Sequence, residues 1–374
     1  MFQEDAKYFK RFSIEYQLIC ALCNSILNQQ KLHWDKPVDY SKLKKQISLN
    51  NLSTFFWKHF SDFPILFPIE EFLQKSAKKS IVNHLKLKVE LLKLIDILNQ
   101  NEINFTLFKG HYLIEKIYEV NNIRTSTDID ILISPKDLLQ VKTILLEQNY
   151  KLLIPQYDLP ENKMDLFMHI ENEIPFKSPN NVLIDLHFNL FANPYLLNTS
   201  NWSSFETNYE GRKIHVFKLT QVFVYLVIHG KKHSWSRLKW LLDIVQFYNI
   251  FNEEDWQEVD EIICANKLND IFTETLVLCK LILGKNIPER YQNKKVFNSF
   301  KITLHKVLIE EATKNRLIGN FRSVFFKKSW NYAWFQILKF PARDLYYVNI
   351  PFFAKYLHPL FRPFIYIFII RKSK

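Results

Sequence analysis

The spacing of apolar residues along the chain changes twice. Within residues 1–100 the apolar positions follow a helical repeat, as they do from Leu85 to Leu98, and this spacing predicts helices. Between residues 101 and 215 the apolar segments become short and rich in β-branched and aromatic residues, which predicts strands. From Phe217 onward helical spacing returns and continues to about residue 315. We therefore expect an α/β unit flanked by helical regions.

The middle block divides into short predicted elements. Strands are expected at residues 103–108, 129–133, 150–154, 166–173 and 182–188. Helices are expected at residues 111–119 and 135–148, the second of which opens with Pro135, a residue suited to a first helical turn. Residues 175–181 are rich in Pro, Ser and Asn and are expected to connect the last two strands.

The chain of 374 residues is long enough for more than one domain. The changes of pattern predict an N-terminal helical region at 1–100, an α/β core at 101–215 and a helical domain at 216–315. Residues 316–374 form a separate basic and aromatic C-terminal tail.

Charge distinguishes this tail from the rest of the chain. Residues 316–374 contain 11 Lys and Arg, one acidic residue and 17 aromatic residues, within a formal net charge of +12 for the whole protein. The remaining chain carries only 12 − 10 = +2. The tail suits peripheral contact with an anionic membrane or with single-stranded nucleic acid. The alternative is that its aromatic residues cover the α/β core. The near-neutral remainder disfavours nucleic acid.

Several classes of protein are disfavoured by the sequence. The N-terminal residues lack an apolar signal segment, and the longest apolar run, Phe364–Ile370, is too short to span a bilayer. We therefore expect a cytoplasmic protein. Four cysteines in a chain of this length do not make a disulfide framework. The glycine-rich motifs of P-loop ATPases and dinucleotide-binding dehydrogenases and the nucleophile motif of α/β-hydrolases are also absent from the sequence.

Three aspartates of the middle block are candidate metal ligands. Asp128 and Asp130 are two residues apart on a predicted strand, so their side chains point to the same face. Asp185 lies between apolar residues on a later strand. Adjacent carboxylates repel each other unless a cation lies between them, and Mg²⁺ binds carboxylates together with phosphate oxygens. The alternative is that Asp128 caps a turn while Asp130 and Asp185 are acids at strand edges.

Four further residues are candidates for contact with a nucleotide. Lys109 and Gly110 end a predicted strand, where a glycine lets the backbone approach an anion. Arg124 precedes the aspartates and is expected either to bind phosphate, to brace Asp128 or to lie in a surface loop. His187 shares a strand face with Asp185 and is expected either to orient a ligand or to bond within the sheet.

These residues occur in an order that resembles a known family, the uncharacterised nucleotidyltransferases of the DNA polymerase beta-like superfamily. The resemblance rests on Leu107–Gly110, Arg124, Asp128–Ile133, Ile184–His187 and the helical segment from His229 to Asp243. It implies an α+β fold in which a small mixed-sheet nucleotidyltransferase core is flanked by N-terminal and C-terminal helical regions.

The resemblance also implies an activity. It predicts transfer of an NMP from an NTP to an unidentified hydroxyl or phosphate acceptor, with two Mg²⁺ ions held by Asp128, Asp130 and Asp185. A second hypothesis is a catalytically inactive member of the fold that binds a partner or a membrane surface through its basic tail.

Overall fold

The computed structural model describes residues 12–118, 124, 126–154, 157–291, 326–339, 341–342 and 344–347. The predicted continuation of helices beyond residue 291 and most of the C-terminal tail lie outside these ranges. The α-helices are α1 (Ile14–Leu27), α2 (Tyr40–Leu49), α3 (Ser53–Lys58), α4 (Glu70–Gln100), α5 (His111–Ile117), α6 (Leu138–Glu147), α7 (Glu161–Ile170), α8 (Leu219–Lys232), α9 (Leu238–Ile250), α10 (Glu253–Ala265), α11 (Asn269–Leu283), α12 (Trp330–Leu338) and α13 (Asp344–Tyr347).

The strands form one mixed sheet. They are β1 (Phe105–Leu107), β2 (Asp128–Ile133), β3 (Lys151–Leu152), β4 (Glu173–Lys177), β5 (Leu183–His187), β6 (Phe205–Tyr209) and β7 (Arg212–Val216). Within the described residues their order is β3-β4-β5-β2-β1-β7-β6. The pairs β2–β5 and β1–β7 are parallel and the other neighbours are antiparallel. The expected fold class, an α+β protein with a mixed sheet and flanking helices, is confirmed.

The chain forms two compact units. The helical unit comprises Met1–His84, Leu113–Thr125 and Leu219–Arg316, and the sheet unit comprises Leu85–Tyr112, Ser126–Lys218 and Leu317–Lys374. Each unit therefore draws on separate parts of the sequence. The predicted division into regions at 1–100, 101–215, 216–315 and 316–374 stays a prediction.

The helical unit is held together by aromatic packing. The ring of Phe223 on α8 contacts rings from α9, α10 and α11 with centroids 5.2–6.1 Å apart, and these belong to Phe247, Trp256 and Phe272. Trp235 lies between α8 and α9 and is fully buried. Its ring lies so close to Gly230 that a Cβ at this position would be 2.2 Å from a ring carbon. The glycine is therefore required for this contact.

The sheet unit has one apolar and one polar sheet face. Alternate residues of the central strands are fully buried in one core, among them Ile129, Ile131, Ile184 and Leu186. Apolar residues of α4, α6 and α7 contribute to the same core, which covers this face. The intervening residues of β2 and β5 point to the opposite face because side chains alternate along a strand. Asp128, Asp130, Asp185 and His187 therefore share the second face.

One predicted strand is wrong. Residues 166–173 do not form a strand, since 161–170 are α7 and β4 begins only at Glu173. The helical repeat of Met164, Phe167 and Ile170, all buried in the core, determines this outcome. The predicted connection at 175–181 is also partly wrong, since Pro175 lies within β4. A proline is tolerated there because the two-residue strand β3 pairs only with Phe176 and Lys177. Strands β6 and β7 were not predicted, because β6 is largely exposed and lacks an apolar repeat.

Candidate active site

Two aspartates lie side by side on the polar face of the sheet. In the parallel ladder of β2 and β5 the residue opposite Asp130 is Asp185, while Asp128 is opposite Leu183. The registers of β2 and β5 therefore bring two acids that are distant in the sequence onto the same face. One carboxylate oxygen each from Asp130 and Asp185 and one ring nitrogen of His187 lie within 4.8 Å of one another.

The carboxylate of Asp130 is buried and has two basic neighbours. Its Oδ1 is 2.7 Å from Nζ of Lys109 and 3.1 Å from Nε2 of His187. Burial by itself would raise the pKa of Asp130, but the ammonium of Lys109 and the contact with His187 outweigh burial, so the pKa lies well below the ordinary value. Asp130 is therefore held as a carboxylate.

Asp185 is in the opposite electrostatic situation. Burial, together with the negative charges of Asp130, Glu173 and Asp128, raises its pKa to about 7, while Lys109 acts against them. Within the described part of the chain, its side chain forms no ion pair. The two carboxylates thus differ in charge environment, since among the described residues Lys109 is paired with Asp130 and not with Asp185.

The imidazole of His187 is fixed from several sides. Its Nδ1 is 3.1 Å from Oε2 of Glu173 and 3.3 Å from the amide nitrogen of Asn172, and the ring of Phe108 meets it edge-on with centroids 5.2 Å apart. When Nε2–H donates to Asp130, Nδ1 can accept from the Asn172 amide. The ring orientation that faces Asp130 is therefore determined by residues at the start of β4.

Asp128 and Gly110 flank this cluster. The Asp128 carboxylate accepts a hydrogen bond from the Ser126 hydroxyl at 3.1 Å. Asp128 shares the strand face of Asp130 but is not part of the close group formed with Asp185 and His187. Gly110 has φ of +73° and lies close to the backbone of Asp128, where a Cβ would be 4.0 Å from the Asp128 carbonyl oxygen. The turn after β1 thus has a backbone conformation that favours glycine.

Arg124 has a structural partner in the helical unit. Its guanidinium donates from Nε to Oδ1 of Asp243 at 3.0 Å and from Nη2 to Oδ2 at 2.9 Å. The Tyr118 hydroxyl donates to Oδ1 of the same carboxylate at 2.8 Å. Asp243 is almost completely buried, so this bidentate pair neutralises a buried charge. The roles of Arg124 in binding phosphate or bracing Asp128 stay predictions.

Sequence reasoning missed Glu173 and Asn172. The two residues were assigned to the end of a strand that does not exist, so their side-chain directions were unknown. Their position beside His187 follows from the register between β4 and β5, in which Glu173 is opposite His187. A register of this kind is fixed by tertiary packing and is not visible in a single sequence.

The donor atoms of this cluster fit a divalent cation. Mg²⁺ prefers carboxylate oxygens, and the half-buried Asp185 carboxylate, with its raised pKa and its acidic neighbours, is the group that a cation would stabilise most. Asp130 is already ionised through its basic neighbours. The residues available to hold a metal ion are therefore Asp130 and Asp185, whose carboxylate oxygens lie within 4.8 Å of each other and of a ring nitrogen of His187.

A mixed sheet that displays paired aspartates beside a lysine and a glycine turn is consistent with a phosphoryl-handling α+β transferase. The family model described as "Uncharacterised nucleotidyltransferase" matches residues 36–284, which include both the sheet and helices α8 to α11. The chain belongs to this nucleotidyltransferase family, and the resemblance noted in the sequence is confirmed. A search of curated proteins finds no match to the chain.

Proposed function

We propose that this protein transfers an NMP from an NTP to a hydroxyl or phosphate acceptor in a reaction that requires Mg²⁺. The observation that carries the proposal is the β2–β5 register, in which Asp130 and Asp185 are direct neighbours on the polar face. Membership of a nucleotidyltransferase family supports the reaction type. The acceptor is not identified by any feature of the site.

The proposed metal ligands are Asp130 and Asp185, with Asp128 as the third carboxylate on the same face. Two bound Mg²⁺ ions would supply charge neutralisation for the triphosphate and would make the acceptor hydroxyl more acidic. Asp130 provides an ionised carboxylate that is positioned before any ligand binds. Asp185 is the proposed partner of the acceptor, since it is less buried than Asp130 and forms no ion pair among the described residues.

The remaining candidate residues have proposed roles in binding. Lys109 now contacts the Asp130 carboxylate, and its ammonium is proposed to move from this carboxylate to a phosphate oxygen of the NTP. Gly110 is proposed to allow the backbone after β1 to approach the triphosphate. His187 is proposed to keep the Asp130 carboxylate in place from the neighbouring strand. For Arg124 we propose a phosphate contact only in a state in which it leaves Asp243. Because NTPs and Mg²⁺ are abundant in the cytoplasm, we expect the reaction to occur there.

The proposal is tested by measuring nucleotide transfer with aspartate variants. The protein is incubated with each labelled NTP, Mg²⁺ and an extract of its host, and the product that gains a nucleotide is identified by mass. We expect Asp130→Asn and Asp185→Asn to abolish transfer while both variants remain folded by circular dichroism. Asp165→Asn is the matched control, because Asp165 is an exposed aspartate on α7. Full transfer by either site variant would refute the assignment.

Calorimetry with NTP and Mg²⁺ separates the catalytic proposal from the second hypothesis, an inactive binding module. The catalytic proposal predicts a heat of binding that is lost in Asp130→Asn. If millimolar NTP gives no binding heat in the wild type, the protein is a binding module and the catalytic proposal is refuted.

A further inference from the structure

Helix α12, which lies outside the region matched by the family model, displays a stripe of exposed apolar side chains. Trp330, Trp334 and Ile337 are 81%, 56% and 51% exposed. Their spacing of four and three residues places them on one side of the helix. Large apolar side chains arranged in this way on a protein surface indicate a binding surface. We call these three residues the tryptophan stripe.

The opposite side of α12 is anchored to the sheet unit. Tyr332 and Phe335 are buried, and the Phe335 ring meets the ring of His169 on α7 with centroids 5.4 Å apart. The side-chain amide of Asn193 donates to the backbone carbonyl of Tyr332 at 3.2 Å. The helix therefore has a defined orientation, and the tryptophan stripe faces away from the unit that contains the aspartates.

Basic residues lie at both ends of α12. Lys327 and Lys328 precede it, and Lys339, whose Nζ lies 3.9 Å from Oε2 of Glu171, follows it. Nζ of Lys327 donates to the backbone carbonyls of Tyr195 and Leu196 at 2.7 and 2.9 Å, which fixes the start of the helix. Residues 316–374 as a whole carry 11 Lys and Arg against one acid. The segment of the sequence that contains the stripe is therefore strongly basic.

We propose that α12 binds the surface of an anionic lipid bilayer, with the tryptophan stripe in the interfacial layer and the neighbouring lysines at the lipid phosphates. Tryptophan is the residue best suited to this layer, since its ring is apolar and its N–H remains hydrogen-bonded. Apolar side chains flanked by Lys are the pattern by which short helices attach to anionic membranes. Among the described residues no helix has the length and apolarity to cross a bilayer, so the contact is peripheral.

The basic character of residues 316–374 favours a lipid surface over a second copy of this chain. A symmetric dimer through the stripe would bring the lysines of both copies together, and this repulsion is avoided on an anionic bilayer. Such attachment does not depend on the nucleotidyl transfer proposed above. It would hold the aspartate-bearing sheet unit at the membrane and so restrict the acceptors that the enzyme meets.

The test uses the full-length protein and vesicle flotation. Wild-type protein is expected to float with vesicles of equal parts phosphatidylglycerol and phosphatidylcholine, and to float poorly with phosphatidylcholine alone or in high salt. Trp330→Ala combined with Trp334→Ala should weaken the affinity for anionic vesicles about tenfold or more. Lys328→Glu should weaken it as well, and all variants should keep the wild-type circular dichroism spectrum.

The matched control removes two exposed aromatic rings at other sites. Phe67 and Phe205 are 49% and 50% exposed, and Phe67→Ala combined with Phe205→Ala should leave vesicle binding unchanged. The proposal is overturned if wild-type protein does not float, or if the control loses as much affinity as the tryptophan variant. It is also overturned if the tryptophan variant binds vesicles normally but loses a dimer seen by light scattering, or loses affinity for single-stranded RNA alone.

Discussion

Replacing Asp185 by asparagine should stabilise the metal-free protein at alkaline pH. The carboxylate of Asp185 is half-buried beside Asp130, Glu173 and Asp128, and its pKa is raised to about 7 from an ordinary value of 3.8. Asparagine has almost the same shape and carries no charge, so it removes the cost of ionising this side chain in the folded state. The same substitution should abolish the proposed transfer reaction, which would separate the needs of the fold from those of the site.

The sign and size of the effect follow from proton linkage. A folded pKa above the unfolded pKa means that the folded protein binds more protons between these values, so stability falls as pH rises from about 4 to about 7. The full penalty is present above the folded pKa and absent below the unfolded one. A rise from 3.8 to about 7 corresponds to at most about 4 kcal/mol. Because Asp185 is only partly buried, we expect about 1–3 kcal/mol at pH 8.

The assay is urea unfolding in the presence of a chelator at pH 5 and pH 8. We expect Asp185→Asn to be more stable than wild type at pH 8 and to lose most of this advantage at pH 5. Added Mg²⁺ should stabilise the wild type and leave the variant unchanged, since ligand binding to the folded state raises its stability. Asp165→Asn is the control and should show neither effect. Equal stability of Asp185→Asn and wild type at pH 8 would contradict the electrostatic reasoning.

Three further predictions concern other contacts. Arg124→Met should cost about 3–5 kcal/mol in urea unfolding, because it leaves the buried carboxylate of Asp243 without its cation. Gly230→Ala should cost about 1–3 kcal/mol in the same assay, because the new methyl group would overlap the ring of Trp235. Lys109→Met should weaken NTP binding about tenfold in calorimetry, while Mn²⁺ binding without nucleotide, followed by electron paramagnetic resonance, becomes tighter.

Each of these variants has a partner that isolates its cause. Arg237→Met removes an exposed arginine and should change stability little. Gly230→Ala combined with Trp235→Leu should regain part of the lost stability if ring overlap is the cause. Lys116→Met removes an exposed lysine of α5 and should leave NTP affinity unchanged. A loss in the Lys116 variant equal to that in the Lys109 variant would mean that general charge, and not contact with the site, controls NTP binding.

The sequence predicted the strands of the site because their pattern is local. Ile129, Ile131 and Ile133 alternate with Asp128 and Asp130, and this alternation alone indicates a strand with one apolar and one acidic face. The same holds for Asp185 between Ile184 and Leu186. Local pattern could not give the pairing of these two strands, which depends on the packing of α4, α6 and α7 against the apolar face. The sequence therefore predicted each strand, but the pairing of Asp130 with Asp185 could be established only from the structure.

The contacts that sequence reasoning did not find are those between charged groups distant in the chain. Arg124 and Asp243 are separated by 119 residues, and nothing in either local sequence indicates the other. Glu173 was hidden by the incorrect strand at 166–173, whose apolar residues have both helical and strand-like spacing. Only packing of Met164 and Phe167 into the core distinguishes the two possibilities. Long-range charge pairs and short ambiguous apolar runs thus mark the limit of inference from one sequence.

The charges around the aspartates explain why the proposed site would select a divalent cation. Asp130, Asp185 and Glu173 contribute three carboxylates, while Lys109 is the one lysine paired with them within the described residues. Lys109 and His187 both contact Asp130, so Asp185 bears most of the uncompensated repulsion. A monovalent ion would leave part of this charge in place, whereas a divalent ion between the two aspartates would neutralise it and leave Lys109 available for a phosphate. Removing Lys109 should therefore strengthen metal binding and weaken nucleotide binding in the same variant, and parallel loss of both would contradict this division of roles.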